Sequence, residues 1–266
     1  MQAYTHPLWL FFLLAGRLVT GELYYTAIWL SVALSVAAAA LVVYRRPPLG
    51  AALGVAVLAL SRAFVDFSTS GLENALSHLL LAAFLALWFG RPPDAPGFDD
   101  RRLFAPALLA GLLALNRSDA LLLMLPALLD ALWRRRSARA LLWVALGFLP
   151  LALWTAFSLF YYGFLFPNTA YAKLATGIPA LALARQGWLY LLNSLRWDPL
   201  TLAAIGAAVA VGVASRRGAL VAVAAGIALY LLYVVRIGGD FMSGRFLTLP
   251  LLAAVMLLIE FLSCRY

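Results

Sequence analysis

Apolar residues in this chain neither alternate nor recur every third or fourth position; they continue unbroken over bilayer lengths. Long apolar runs occupy 22–44, 49–66, 72–90, 140–162, 198–214, 218–236 and 246–262. A helix crossing hydrocarbon needs about 20 such residues, so each run predicts a membrane helix. The stretch 103–133 is also apolar, but Asn116-Arg117-Ser118-Asp119 interrupts it. Two of the shortest spans would need about 34 residues, more than this stretch holds. It therefore predicts a pair of short or broken helices, with the irregular backbone at the break covered by protein. Residues 8–16 are too short to span and are followed by Arg17. The pattern predicts an all-α, polytopic transmembrane bundle of about 8–9 membrane segments in a single domain, 1–266. The main external loop is 163–197, and its half 184–197 mixes Trp188, Tyr190 and Trp197 with Arg185 and Arg196. That mixture predicts a helix lying in the headgroup plane. The Pro-rich run 91–102 reads as a connector.

Composition strengthens the membrane reading. Of 266 residues, 65% are hydrophobic and 12% charged, and the mean hydropathy is +0.95. A soluble domain carries roughly twice that share of charge. The net charge of +9 would suit nucleic acid, but its placement does not. Arg45–Arg46, Arg101–Arg102, Arg134–Arg136 with Arg139, and Arg216–Arg217 each follow an apolar run, where a membrane protein keeps its cytoplasmic charge. No partner nucleic acid is expected; the bilayer is. With these clusters inside, the spans alternate without conflict. The polar segments 62–74, 116–119, 163–197 and 237–245 then share the outer face. The single cysteine, Cys264, excludes an internal disulfide, and His6 and His78 are too few for a His-rich metal site.

Ionisable groups at the membrane edge are costly and mark substrate pathways. Four constellations on the outer face qualify. Tyr4-Thr5-His6-Pro7-Leu8-Trp9 reads either as an interfacial anchor or as site lining. In Asp66–Asn74, Ser70 and Glu73 match a capping box, which leaves Asp66 and Asn74 unexplained. In Asn116–Asp119, Arg117 either pairs with Asp119 or offers two parallel N–H donors to a phosphate. The fourth joins 161–173, which carries Asn168 and the chain's only lysine, Lys173, to 238–246, which carries Asp240 and Arg245 between glycines.

In this order, Tyr-Thr-His-Pro-Leu-Trp, Ser-Gly-Leu-Glu-Asn, Asn-Arg-Ser-Asp, Tyr-Gly-x-x-x-Pro-Asn-Thr-x-x-x-Lys and Gly-Gly-Asp-Phe-Met-x-Gly-Arg-Phe resemble the mycobacterial terminal arabinofuranosyltransferases and their bacterial relatives. Those are C-type (GT-C) glycosyltransferases, and the resemblance covers 4–246. It implies a bacterial inner-membrane enzyme whose active side faces outward. The donor would be a polyprenyl-phosphate sugar and the acceptor a cell-envelope glycan or lipid; a divalent metal is compatible, and no other cofactor is implied. Tyr4, His6, Glu73, Asn74, Arg117, Asp119, Asn168, Lys173, Asp240 and Arg245 would bind substrate. The family's acidic pair, with the expected catalytic base, lies in a first external loop that would precede Tyr4, and residues 1–3 contain no acid. The expectation is therefore an N-terminally incomplete chain with its catalytic residue unassigned; Asp66 and Asp119 are poor substitutes. An inactive fragment or membrane subunit is the alternative. A lipid-linked-glycan flippase fits less well, because the middles of most spans are Ala, Leu and Val.

Overall fold

The structure, a computed structural model, describes residues 5–93, 95, 97–165, 167–168, 171 and 177–263. Its elements are α1 (Pro7–Thr20), α2 (Tyr24–Val43), α3 (Pro48–Leu60), α4 (Arg62–Ser68), α5 (Asn74–Gly90), α6 (Phe104–Asn116), α7 (Leu121–Arg135), α8 (Ala138–Gly147), α9 (Leu149–Tyr162), α10 (Ala180–Trp197), α11 (Pro199–Ala214), α12 (Gly218–Arg236) and α13 (Thr248–Ser263). Short 3-10 turns cover Asp100–Leu103, Ser118–Ala120 and Arg245–Leu247, and no strand occurs among the described residues. The all-helical expectation holds.

By length and composition, three helices are able to cross a membrane: Tyr24–Val43, Gly218–Arg236 and Arg245–Ser263. The number rises to six if each bent pair counts as one span, and a count of 8–9 segments is not confirmed. Breaks in apparently continuous runs lower the count of straight spans to three, and the six leave out Asn74–Gly90, a 17-residue helix, and the short helices of 103–133. The run 49–66 turns by 78° at Ser61, and 140–162 turns by 56° at Phe148. Ser61 is extended, and its side chain accepts from the Phe64 amide, which starts a second helix in mid-run. At Phe148, Pro150 stands in the first turn of α9, where a missing N–H costs nothing. The stretch 103–133 does form two short helices, separated by extended Arg117 (φ −147°, ψ 105°) and one 3-10 turn.

Helix α13 is the hub. It packs against α3, α5, α11 and α12, and nearly every residue of Thr248–Leu257 is buried. Around it, α2 lies along α5 and α7 along α12. Small residues allow this closeness: a Cβ on Gly226 of α12 would strike the Leu123 backbone of α7. Helix α10 meets α11 at 113°. The corner is fixed by Asp198, whose carboxylate accepts from the Thr201 amide (3.2 Å) and from Ala63 N at the start of α4 (3.1 Å). Helix α1 is anchored by Trp9 Nε1, which donates to the Gly71 carbonyl (3.2 Å).

Candidate functional site

One end of the bundle gathers residues that are far apart in sequence. Glu73 immediately precedes α5 and is buried, but the Ser70–Glu73 capping box does not form. The Glu73 side chain makes no cap hydrogen bond, and Ser70 Oγ instead accepts from Leu72 N. The carboxylate is drawn away because stronger partners are near. Arg245 Nη2 donates to Glu73 Oε1 at 2.7 Å, Arg117 Nη1 lies 3.9 Å from the same oxygen, and His6 Nε2 lies 3.7 Å from Oε2. A charge-assisted bond to guanidinium is about twice as strong as a neutral one, so it outweighs the cap. Burial pushes the Glu73 carboxyl up, but His6, Arg117 and Arg245 together hold it below its ordinary value. For His6, burial lowers the imidazole pKa and wins against the attraction of Glu73. The ring bonds through Nδ1 with the Asn116 carbonyl at 2.7 Å.

Arg117 is 3% exposed and nearly saturated. It donates to Asp119 through Nη2 (2.7 Å) and Nε (3.4 Å), to Asn74 Oδ1 (2.9 Å) and to the Tyr230 hydroxyl (3.0 Å). Tyr230 in turn donates to Asp119 Oδ2 at 2.8 Å, and the Phe246 ring lies under the guanidinium, 5.2 Å to its centroid. The break between α6 and α7 is thus held by a closed ring of partners. Asn116 adds a strut, donating to Ser77 Oγ (2.9 Å) and to the Glu73 carbonyl (3.0 Å).

Arg245 arrives on the turn that precedes α13. Gly244 adopts φ +79° and packs against Ala63, so a side chain there is both strained and crowded. Asp240 Oδ2 accepts weakly from Arg245 Nη1 (3.4 Å), while its Oδ1 accepts from Phe241 N (2.9 Å). Tyr190 of α10 steadies the same turn: its hydroxyl accepts from Phe246 N and donates to the Met242 carbonyl. Tyr190 is therefore buried, unlike Trp188 and Trp197 beside it, which are exposed.

Of the ten sequence-predicted residues, His6, Glu73, Asn74, Arg117, Asp119, Asp240 and Arg245 come together. Tyr4 and Lys173 lie outside the described residues. Asn168 is half-buried beyond α9, and no contact among the described residues joins it to the network. Sequence reasoning missed Tyr230, Tyr190, Ser77 and the role of Asn116. It also passed over His78, a buried histidine inside an apolar helix, stacked on Phe64 at 4.6 Å; an ionisable residue in such a helix is itself a signal. Several buried polar atoms at this end have no hydrogen-bond partner among the described residues: Arg245 Nε, Asn74 Nδ2, Asn116 Oδ1 and both His78 nitrogens. No group of three or more His, Cys, Asp or Glu among the described residues stands as a ligand set for a metal ion. The carboxylates here are matched by arginine instead, so the donor set does not fit a divalent cation.

No protein-family model matches the chain, and no solved structure does. Two curated proteins are similar to it. A terminal β-(1→2)-arabinofuranosyltransferase of Mycobacterium tuberculosis is 34% identical over 221 residues, covering 70% of this chain and 34% of that protein. The protein of the same description from Corynebacterium glutamicum is 31% identical over 227 residues, covering 72% of this chain and 32% of its own length. The chain thus spans about a third of the length of these relatives. Its apolar helices suggest a membrane protein, and over about 70% of its length the chain is homologous to terminal arabinofuranosyltransferases.

Proposed function

We propose that this end of the bundle holds the phosphate and sugar of a polyprenyl-phosphate donor, in a GT-C-type membrane glycosyltransferase that transfers the sugar to a cell-envelope glycan. The end would face the outer side of a bacterial cytoplasmic membrane. One observation carries the reading: a buried carboxylate, Glu73, is gripped by Arg245, while Arg245 Nε and Asn74 Nδ2 keep N–H donors unspent. A departing lipid phosphate gains negative charge, and preorganised donors stabilise that charge. Arg245 is the guanidinium that is partly open, with 16% of its side chain exposed against 2% for Arg117. Arg245 therefore meets the phosphate, and Arg117 with Asp119 holds the break that positions it.

Glu73 and Asp240 still have lone pairs for sugar hydroxyls, since each carboxylate oxygen accepts more than once. Deprotonation of the acceptor needs a carboxylate within reach of its hydroxyl. Glu73 is buried and committed to cations, so its role is orientation, and no residue of the network is assigned as base. Tyr4, Asn168 and Lys173 join the substrate-binding set on the motif order alone.

Binding of a short-chain polyprenyl-phosphate pentose to the protein in nanodiscs tests this. A charged hydrogen bond contributes about 1.5–3 kcal/mol, so Arg245→Gln should weaken binding by roughly tenfold to a hundredfold. Absence of donor binding by the unmodified protein, or unchanged affinity in Arg245→Gln, would overturn the proposal. Sidedness is tested in a Cys264→Ser background: a cysteine at Ser243 should label from outside intact cells and one at Arg139 should not. The reverse labelling would place the network on the inner side.

A further inference from the structure

Against the turn that carries Arg245 lies a cavity of about 260 Å³. Its wall comes from three elements: Arg62 and Asp66 of α4, Asn193 and Trp197 of α10, and Ser243 with Gly244 of the turn. We infer that this cavity is a carbohydrate subsite, which seats a neutral sugar ring of the acceptor glycan. The inference deepens the proposed function and rests on it for the reason a glycan should come here; the recognition chemistry stands on the cavity itself.

The floor is rigid and already satisfied. Asp198 Oδ2 accepts from Thr201 Oγ1 (2.7 Å), Ser61 Oγ (2.9 Å) and Ala63 N (3.1 Å), and its Oδ1 accepts from Thr201 N. Those bonds lock the start of α4 to the α10–α11 corner, so the side chains above them are held on fixed backbone. These side chains are of different kinds. Asp66 presents a carboxylate, Asn193 an amide that donates to Ser243 Oγ (2.9 Å), and Arg62 a fork of N–H donors 3.7 Å from Asp66. Trp197 contributes an indole, 65% exposed, with the Arg62 guanidinium over its ring at 5.6 Å.

A sugar ring has an edge of adjacent hydroxyls, each both donor and acceptor, and a face of apolar C–H bonds. A carboxylate, an amide and a guanidinium around one cavity suit the edge, and an exposed indole suits the face. The lining holds two carboxylates to one guanidinium, which disfavours a phosphate. A purely apolar ligand would strand the polar heads. Gly244 packs against Ala63, one residue before the arginine assigned to the donor. Acceptor and donor would therefore sit against neighbouring residues of one turn.

The test uses the full protein in nanodiscs and, as probe, a short soluble neutral pentofuranosyl oligosaccharide. Wild type should bind it, and Trp197→Ala and Asp66→Asn should each weaken binding at least tenfold. Trp197→Phe should retain part of the affinity, and Leu181→Ala on the exposed face of the same helix should retain all of it. Affinity for the polyprenyl-phosphate pentose should stay unchanged in all four variants. No oligosaccharide binding by wild type, or binding indifferent to Trp197 and Asp66, overturns the subsite. Oligosaccharide binding that depends on both residues, in a protein that does not bind the donor, sinks the proposed function and leaves the subsite standing.

Discussion

The two ends of the bundle hold the same kinds of side chain and use them differently. At the network end, charges are buried: Glu73 pairs with distant Arg245, and Arg117 is held by its neighbour Asp119 and by distant Asn74 and Tyr230. At the opposite end, arginines outnumber those of the network, but the pairs they form use separate carboxylates, and Arg134 and Arg135 are more open. Arg134 bonds Asp130 one helical turn away (2.7 Å), Arg135 reaches Asp100 (2.6 Å), and Arg46 pairs with Glu260. Three non-glycine residues there have left-handed backbone, Arg45, Arg136 and Arg216, each just past a helix C-terminus. Charge near a helix C-terminus is favourable, and an open chain end tolerates the strain. Arginine count therefore does not find the site; the convergence of Arg245, Arg117 and His6 on one buried carboxylate does.

The sharpest way to break this contrast is to remove Glu73. Glu73→Ala leaves two guanidinium groups without their shared carboxylate. Removing one partner of a buried pair costs about 3–5 kcal/mol, to be read as lost stability in detergent-solubilised unfolding. Asp130→Asn at the other end should cost no more than about 0.5 kcal/mol, since exposed i,i+4 pairs are weak. Equal losses at both ends would erase the distinction.

A smaller effect is expected from Arg117→Lys. An ammonium cannot reproduce the fork that serves Asp119, Asn74 and Tyr230 together, and one or two stranded partners cost about 1–3 kcal/mol each. In a charge-swapped Arg117→Asp, Asp119→Arg protein, recovery of most of the loss would show that the pair matters only as a pair. Little recovery is predicted, because Asn74 and Tyr230 remain misplaced.

Acidification should act mainly on the network. Glu73 is held below its ordinary pKa when folded, so its contribution is complete above the ordinary carboxylate range and drains as pH falls through the lower folded value. His6 is also lowered, and a base whose folded pKa is depressed loses stability as pH falls below about 6.5. Unfolding stability should therefore decline in two stages on acidification, and His6→Gln should shrink the upper one, to which the second buried histidine, His78, also contributes. A profile from pH 7 to pH 5 that His6→Gln leaves unchanged would count against a lowered His6.

The smallest expected effect is at Arg136, where φ is 43°. Arg136→Gly relieves a left-handed backbone costing about 1–2 kcal/mol and loses one exposed charge. Thermal unfolding should show a neutral or slightly stabilised protein. A clear loss would mean that this end is more specific than its exposure indicates.

The helical class and the polar break were legible in the sequence because each rests on a local signal. The apolar runs are long, and Asn116–Asp119 is a polar interruption in a stretch too short for two spans. The gathering of Glu73, Arg117 and Asp240–Arg245 was legible as four motifs at one membrane face, but not as a network. What the sequence hid depends on tertiary packing. Ser61 ends a helix in mid-run because Asp198, far along the chain, organises the corner. Tyr230 sits in an apolar span where a tyrosine reads as an interfacial anchor. Tyr190 shares a helix with Trp188 and Trp197 and differs only by facing inward. The capping box failed for a related reason: Ser70 and Glu73 have the right spacing, but Arg245, brought by a distant turn, competes for the carboxylate.

The most direct test of the central claim compares the two ends in one binding measurement. Short-chain polyprenyl-phosphate pentose is titrated against the protein in nanodiscs, against Arg245→Gln, and against an Arg216→Gln, Arg217→Gln double variant from the opposite end. The account predicts at least a tenfold loss for Arg245→Gln, with helical content retained, and unchanged affinity for the double variant. Equal loss in both, or loss confined to the double variant, would contradict the assignment of the donor phosphate to the network end.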